Sequence, residues 1–187
     1  WPTFWPSLLQ TAGLAWNVTS DPESELASLL DYFLFPGEKK TPSESLLQTG
    51  KLDLALGPKV VNASLPWLLA FSDQPEKLPE RLLADHPADK LKNGQERIEE
   101  LRSGLEGLTN ETGSSALVAQ ELLLGLDLSA HAIAHGQAML KEPPAANLPP
   151  AKELASRYEK LWLERARPGG LAESLALLDG ALARWQD

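Results

Sequence analysis

The sequence predicts an all-α protein, with an irregular N-terminal helical segment followed by an antiparallel helical bundle. Three observations predict it. The stretch from Ser114 to Lys141 holds no proline, and its strong helix formers continue for about 28 residues, roughly 42 Å as a helix. Leucines recur elsewhere at steps of three and four, the spacing of a buried helix face. No convincing strand, internal repeat or low-complexity tract interrupts this pattern.

Taken in order, Trp1 to Trp16 begins with two Trp-Pro steps, which favour an extended start because the residue before proline avoids the helical region. Ser7 is placed to cap a short helix running to about Trp16. Trp1, Phe4 and Trp5 cluster at the chain end. Two readings fit them: packing on this chain's own core, the usual fate of large aromatics, or packing on a partner supplied upstream. Ser20-Asp21-Pro22-Glu23 is a helix start, with Leu26, Leu29, Leu30, Phe33 and Leu34 following and Pro36-Gly37 as the stop. Thr41 with Glu44 fits a capping box for a helix carrying Leu46, Leu47, Leu52 and Leu56 up to Gly57-Pro58. Gly50 inside that helix is expected to mark a close packing contact. Asn62-Ala63-Ser64 leads into a short apolar helix, Leu65 to Phe71, with Trp67 on it.

Ser72 to Pro87 is polar and proline-rich, with a short helical turn expected around Glu80 to Ala84. A boundary placed there divides the chain into 1–72 and 73–187. From Ala88 to Leu108 a seam of Leu91, Ile98, Leu101, Leu105 and Leu108 is expected to be buried, with Gly94 filling the missing step and charged residues opposite. Thr109 to Gly113 reads as a turn. In the long helix that follows, Ala119, Leu122, Leu126, Ala130, Ile133 and Leu140 form one stripe, widened by Leu117, Leu123 and Leu124. More than one neighbour should therefore cover it, with Gly125, Ala134 and Gly136 allowing close approach. Glu142 to Pro150 holds four prolines and cannot be regular helix. Ala151 to Arg165 resumes helix with Leu154, Tyr158, Leu161 and Trp162 inward, and Glu153 four residues from Arg157 as an exposed pair. Arg167 to Gly170 breaks the chain, and Leu171, Leu175, Leu178, Leu182 and Trp185 form a last seam.

The totals exclude several classes. The net charge of −9 argues against a nucleic-acid binder, which needs a basic patch, and argues also against anionic membranes. No apolar run approaches the length of a membrane span, and no signal peptide is visible. With no cysteine, disulfides and cysteine-ligated zinc are excluded, and a reducing, cytoplasmic setting is compatible with that. The chain begins at Trp1, which reads as a processed or excised piece.

Candidate chemistry is sparse. His131 and His135 are four apart on one helix face, a spacing that can hold zinc, but Ala132 stands where a metalloprotease has glutamate. Helix packing or surface exposure is the plainer reading, so no metal and no cofactor are expected. Asp31, Asp53 and Asp127 lie near apolar faces, without a defined acid/base arrangement. No phosphate loop and no nucleophile elbow is present, and no catalytic residue is assigned. Asn17, Asn62 and Asn110 head glycosylation sequons that matter only in a secretory pathway.

Three stretches, in order, resemble the C-terminal part of bacterial glycoside hydrolase family 20 proteins, the β-N-acetylhexosaminidase family. They are WPTFWPSLLQTAGLAWN with LASLLDYFLF, then LLQTGKLDLALGPKVVNASLPWLLAF, then YEKLWLERARPGGLAESLALLDGALARW, whose Leu161 to Leu171 core is the most specific. The resemblance covers most of the chain. It implies a (β/α)8 barrel upstream and residues 1–72 as the end of that barrel with its first C-terminal helices. It further implies substrate-assisted removal of terminal N-acetylhexosamine by the parent, in which an Asp orients the acetamido group and a Glu protonates the leaving oxygen. This sequence holds no counterpart of that Asp-Glu pair, so the chain is expected to be a non-catalytic module partnered by the barrel, with a homo-oligomer also open. Trp1 and Trp5 are the residues expected near a sugar, since aromatic faces suit pyranose stacking. The alternative is a free-standing acidic helical bundle acting as an interaction or scaffold module.

Overall fold

The computed structural model describes residues 5–16, 22–57, 64–71, 83, 85–110, 113–143 and 148–184. These residues are all-α, with no strand among them. The helices are α1 (Trp5–Trp16), α2 (Pro22–Leu34), α3 (Ser43–Gly50), α4 (Leu52–Leu56), α5 (Leu65–Phe71), α6 (Pro87–Glu106), α7 (Ser114–Met139), α8 (Ala151–Arg165) and α9 (Leu171–Arg184). The residues Trp1 to Phe4, the Ser20-Asp21 cap, Asn17, Asn62 and Trp185 lie outside the described residues, as does the 72–87 stretch apart from Leu83 and Asp85 to Pro87.

The chain forms two compact units. Trp1–Lys51 with Leu101–Leu122 makes the first, and Leu52–Glu100 with Leu123–Asp187 the second. This grouping differs from the expected division into 1–72 and 73–187. The reason is that α6 and α7 are long enough to contribute residues to both units, which a cut at one loop does not capture.

In the first unit, Leu26 and Leu30 of α2, Leu46 of α3, Leu101, Leu105 and Leu108, and Val118, Ala119 and Leu122 of α7 are buried. Phe35, just past the end of α2, is also buried, whereas Phe33 on the helix is 55% exposed. The helix stops as expected at Pro36-Gly37, where Gly37 takes a positive φ of 80° that suits a residue without Cβ. Helix α1 begins at Trp5, two residues before the expected Ser7, because Pro6 fits the first turn, where its missing N–H is no loss.

Thr41 does not form the expected capping box. Its hydroxyl donates to Asp31 Oδ1 of α2 at 2.5 Å, and α3 has no side-chain cap. Gly50 is also a correction. It is exposed, with nothing within 4 Å of where its Cβ would sit, and it ends α3 rather than marking a contact. The single helix expected from Thr41 to Gly57 is therefore two, parted at Lys51, because glycine weakens the helix there.

In the second unit, Leu56 of α4, Leu65 and Leu69 of α5, Leu91 and Ile98 of α6, Leu126 and Ile133 of α7, and Leu154 of α8 are essentially removed from solvent. Two glycines make this possible. A Cβ on Gly94 would overlap the Leu56 side chain outright, and one on Gly136 would lie 3.1 Å from Leu69 Cδ1 and 3.3 Å from Leu91 Cδ1. The sequence reading of these two positions holds, but Gly125 is exposed with no neighbour within 4 Å and permits no close approach. Leu171, Leu178 and Leu182 bury the inner face of α9.

Helix α7 is also long and apolar enough to cross a membrane by length and composition, which a search for uninterrupted apolar runs does not register. Within the protein, 56% of its most apolar window is buried, and its Asp127, 4% exposed, pairs with Arg157 of α8.

Candidate functional site

Several polar side chains near the cores serve helix ends and helix crossings. In the first unit the Glu38 carboxylate accepts the backbone N–H groups of Ser114 (3.2 Å) and Ser115 (3.1 Å), the first residues of α7. Those donors have no partner inside the helix, and a negative charge beside them is favoured by the helix dipole.

In the second unit Asp53 Oδ1 accepts the N–H of Leu65 at 3.1 Å and Ser64 Oγ accepts that of Trp67 at 3.3 Å, so both serve the start of α5. Burial pushes the Asp53 carboxyl above its ordinary value, and the Leu65 hydrogen bond pulls partly the other way. At the other end of α5, Arg184 Nη2 donates to the Ala70 carbonyl at 2.6 Å. Asp127, 4% exposed on α7, receives Arg157 Nη1 of α8 at 2.5 Å. Arg157 thus leaves the expected partner Glu153, because the desolvated carboxylate is the stronger acceptor.

The two histidines go separate ways. His131 Nε2 lies 2.7 Å from the carbonyl of Pro149, so that nitrogen carries the proton and donates. His135 is half-buried, and burial, with the Arg184 guanidinium adding to it, holds its pKa below the ordinary value. No group of three His, Asp or Glu side chains suited to a metal occurs among the described residues.

The surface of the second unit carries a groove of about 720 Å³ lined by Trp67 and Phe71 of α5, Tyr158 of α8, and Leu177, Ser174 and Arg184 of α9. Trp67 is 55% and Leu177 67% exposed. The Trp67 and Phe71 rings lie 5.5 Å apart between centroids, and Tyr158 and Trp162 5.9 Å apart. Sequence periodicity marked Trp67 only as part of an apolar helix; its exposure depends on which face of α5 meets α6 and α7, a tertiary property. In the first unit Pro6, Leu26, Leu46 and Leu122 line a smaller cleft of about 320 Å³. Of the residues expected near a sugar, Trp1 lies outside the described residues, and for Trp5 only the backbone, as the first residue of α1, is described.

The Leu161 to Leu171 segment closes on itself. The Trp162 indole N–H donates to the Arg167 carbonyl at 2.9 Å, and a Cβ on Gly170 (φ +82°) would sit 3.7 Å from the Trp162 ring. The chain matches no protein-family model, no curated protein and no solved structure.

Proposed function

We propose that the chain is a non-catalytic helical module from the C-terminal part of a glycoside hydrolase family 20-type β-N-acetylhexosaminidase, whose parent removes terminal N-acetylhexosamine by substrate assistance. The module buttresses the catalytic barrel, and Trp1 and Trp5 lie toward its sugar site. The glycosidase part of this reading rests on the three sequence stretches, above all Leu161 to Leu171. The scaffold part rests on one observation: Glu38, Asp53 and Asp127 are each engaged by a helix end or a neighbouring helix, the use a support makes of its acids. The Trp67–Leu177 groove is the apolar face the barrel would cover.

The experiment places Trp67→Ser and Leu177→Asp together in the parent protein and in the isolated chain. The reading expects the parent to hydrolyse an aryl N-acetyl-β-glucosaminide, and the double variant to melt several degrees lower in the parent but not in the isolated chain. A parent without hexosaminidase turnover overturns the glycosidase part. Equal melting in both contexts overturns the buttress.

A second reading, a free-standing acidic scaffold bundle, draws on the fully buried side chains found in both units, Leu30 and Phe35 in one and Leu91, Ile133 and Leu154 in the other. It predicts a parent with no barrel.

A further inference from the structure

The groove on the second unit draws its lining from separate helices: Trp67 and Phe71 from α5, Tyr158 from α8, and Leu177, Gly180 and Arg184 from α9. Tryptophan, tyrosine, phenylalanine and arginine gather at the centres of protein interfaces, where lysine, aspartate and glutamate are depleted. The groove follows that pattern. The chain has 26 acidic residues, yet no acid and no lysine occurs among the described residues that line it. Enclosed small-molecule sites bury most of their ligand. Here Trp67 stays 55% and Leu177 67% exposed, so the groove suits a protein segment laid across it.

Arg184 sets the charge of the occupant. Among the described lining residues it is the one that carries charge. Its Nη2 donates to the Ala70 carbonyl at 2.6 Å, which ties the side chain to the last turn of α5. A guanidinium has five N–H donors in a fixed fork, and this contact uses one of them. Its positive field reaches His135 of α7, whose pKa it helps to lower. A guanidinium already held at one nitrogen matches a carboxylate, and the apolar surface around it shields the pair from water once the groove is covered. Gly180 stands four residues before Arg184 on α9, and a Cβ there would meet nothing within 4 Å, so the groove is open at that point.

We infer that the groove receives an amphipathic protein segment, which lays large apolar side chains on Trp67, Phe71 and Tyr158 and sets an aspartate or glutamate carboxylate on Arg184. The inference rests on the reading of the groove as a covered face and deepens it, by naming the chemistry of the surface that covers it.

The test titrates the full chain with three capped amphipathic peptides. They share one face of leucine and phenylalanine at helical spacing and differ at a single residue beside it: glutamate, glutamine or lysine. The net charge of −9 favours the lysine peptide, so the overall field and the local one at Arg184 predict opposite orders. The glutamate peptide is expected to bind about threefold or more tighter than the glutamine peptide, with lysine weakest, and to shift the Trp67 indole N–H resonance. Arg184→Gln is expected to bring the glutamate and glutamine peptides to equal affinity. Gly180→Glu is expected to do the same, because it places a carboxylate four residues from Arg184 on one helix; that pair, with glycine replaced, also keeps α9 folded should Arg184→Gln unfold. Absence of saturable binding, no preference for glutamate, or a preference that survives in either variant would overturn the inference. Self-association of the chain that Gly180→Glu abolishes would give the groove to a second copy and overturn it too. These failures are separable from failure of the buttress, which falls when Trp67→Ser with Leu177→Asp melts equally in the parent and in the isolated chain.

Discussion

Arg157 bridges from α8 to a carboxylate on α7 that is almost removed from water. The strength of such a contact shows when one member is deleted, because the remaining charge is stranded. Arg157→Ala should therefore destabilise the chain by about 3 kcal/mol in urea unfolding, at the lower end of the range for a broken buried pair, since Arg157 itself is 29% exposed. Asp127→Leu with Arg157→Met should recover most of that loss, because it removes both charges together. A loss below about 1 kcal/mol for Arg157→Ala would mark the contact as an ordinary surface pair. Asp127 could be marked from sequence as a candidate buried acid, since it sits among leucines. Its partner could not, because local spacing pointed Arg157 at Glu153 while the true acceptor is thirty positions away. Glu38 shows the same limit: it serves a helix start 76 positions downstream, beyond the reach of any local capping pattern.

At the scale of helices, the two kinds of glycine make opposite predictions. Gly94 on α6 faces the Leu56 side chain, so Gly94→Ala should destabilise by about 1–2 kcal/mol, overpacking outweighing the helix propensity gained. Gly125 on α7 faces open space, so Gly125→Ala should stabilise by about 0.5–1 kcal/mol. Denaturant midpoints of the two variants read both signs at once, and a shared sign would contradict the packing described. The leucine seams of α6 and α9 were legible because helical periodicity is a local property, and Leu91, Ile98, Leu105 and Leu178 are buried accordingly. The faces of α7 were less legible. A helix apolar on several sides gives no phase from which to tell that Gly136 meets neighbours and Gly125 does not. The break between α3 and α4 was missed because one glycine is compatible with a continuing helix, and the outcome rests on the packing of Leu46 and Leu56 in different units.

For the whole molecule, an all-α chain with net charge −9 devotes its best-placed acids to holding helices together, and it leaves an aromatic groove on the second unit. The fold class was legible because strand alternation is missing and helical spacing recurs throughout. The division into units was not, because α6 and α7 supply both cores and composition records no boundary inside a helix. The groove escaped sequence reading because Trp67, Tyr158 and Leu177 come from separate helices, and only packing brings them to one surface.

The central proposal is a support without a reaction centre of its own. Its most direct test is a steady-state assay of the isolated 187-residue chain with an aryl N-acetyl-β-glucosaminide, run on material whose helical circular dichroism shows it folded. The account predicts no hydrolysis above the rate without protein. Turnover that copurifies with the chain and titrates with its concentration would contradict it.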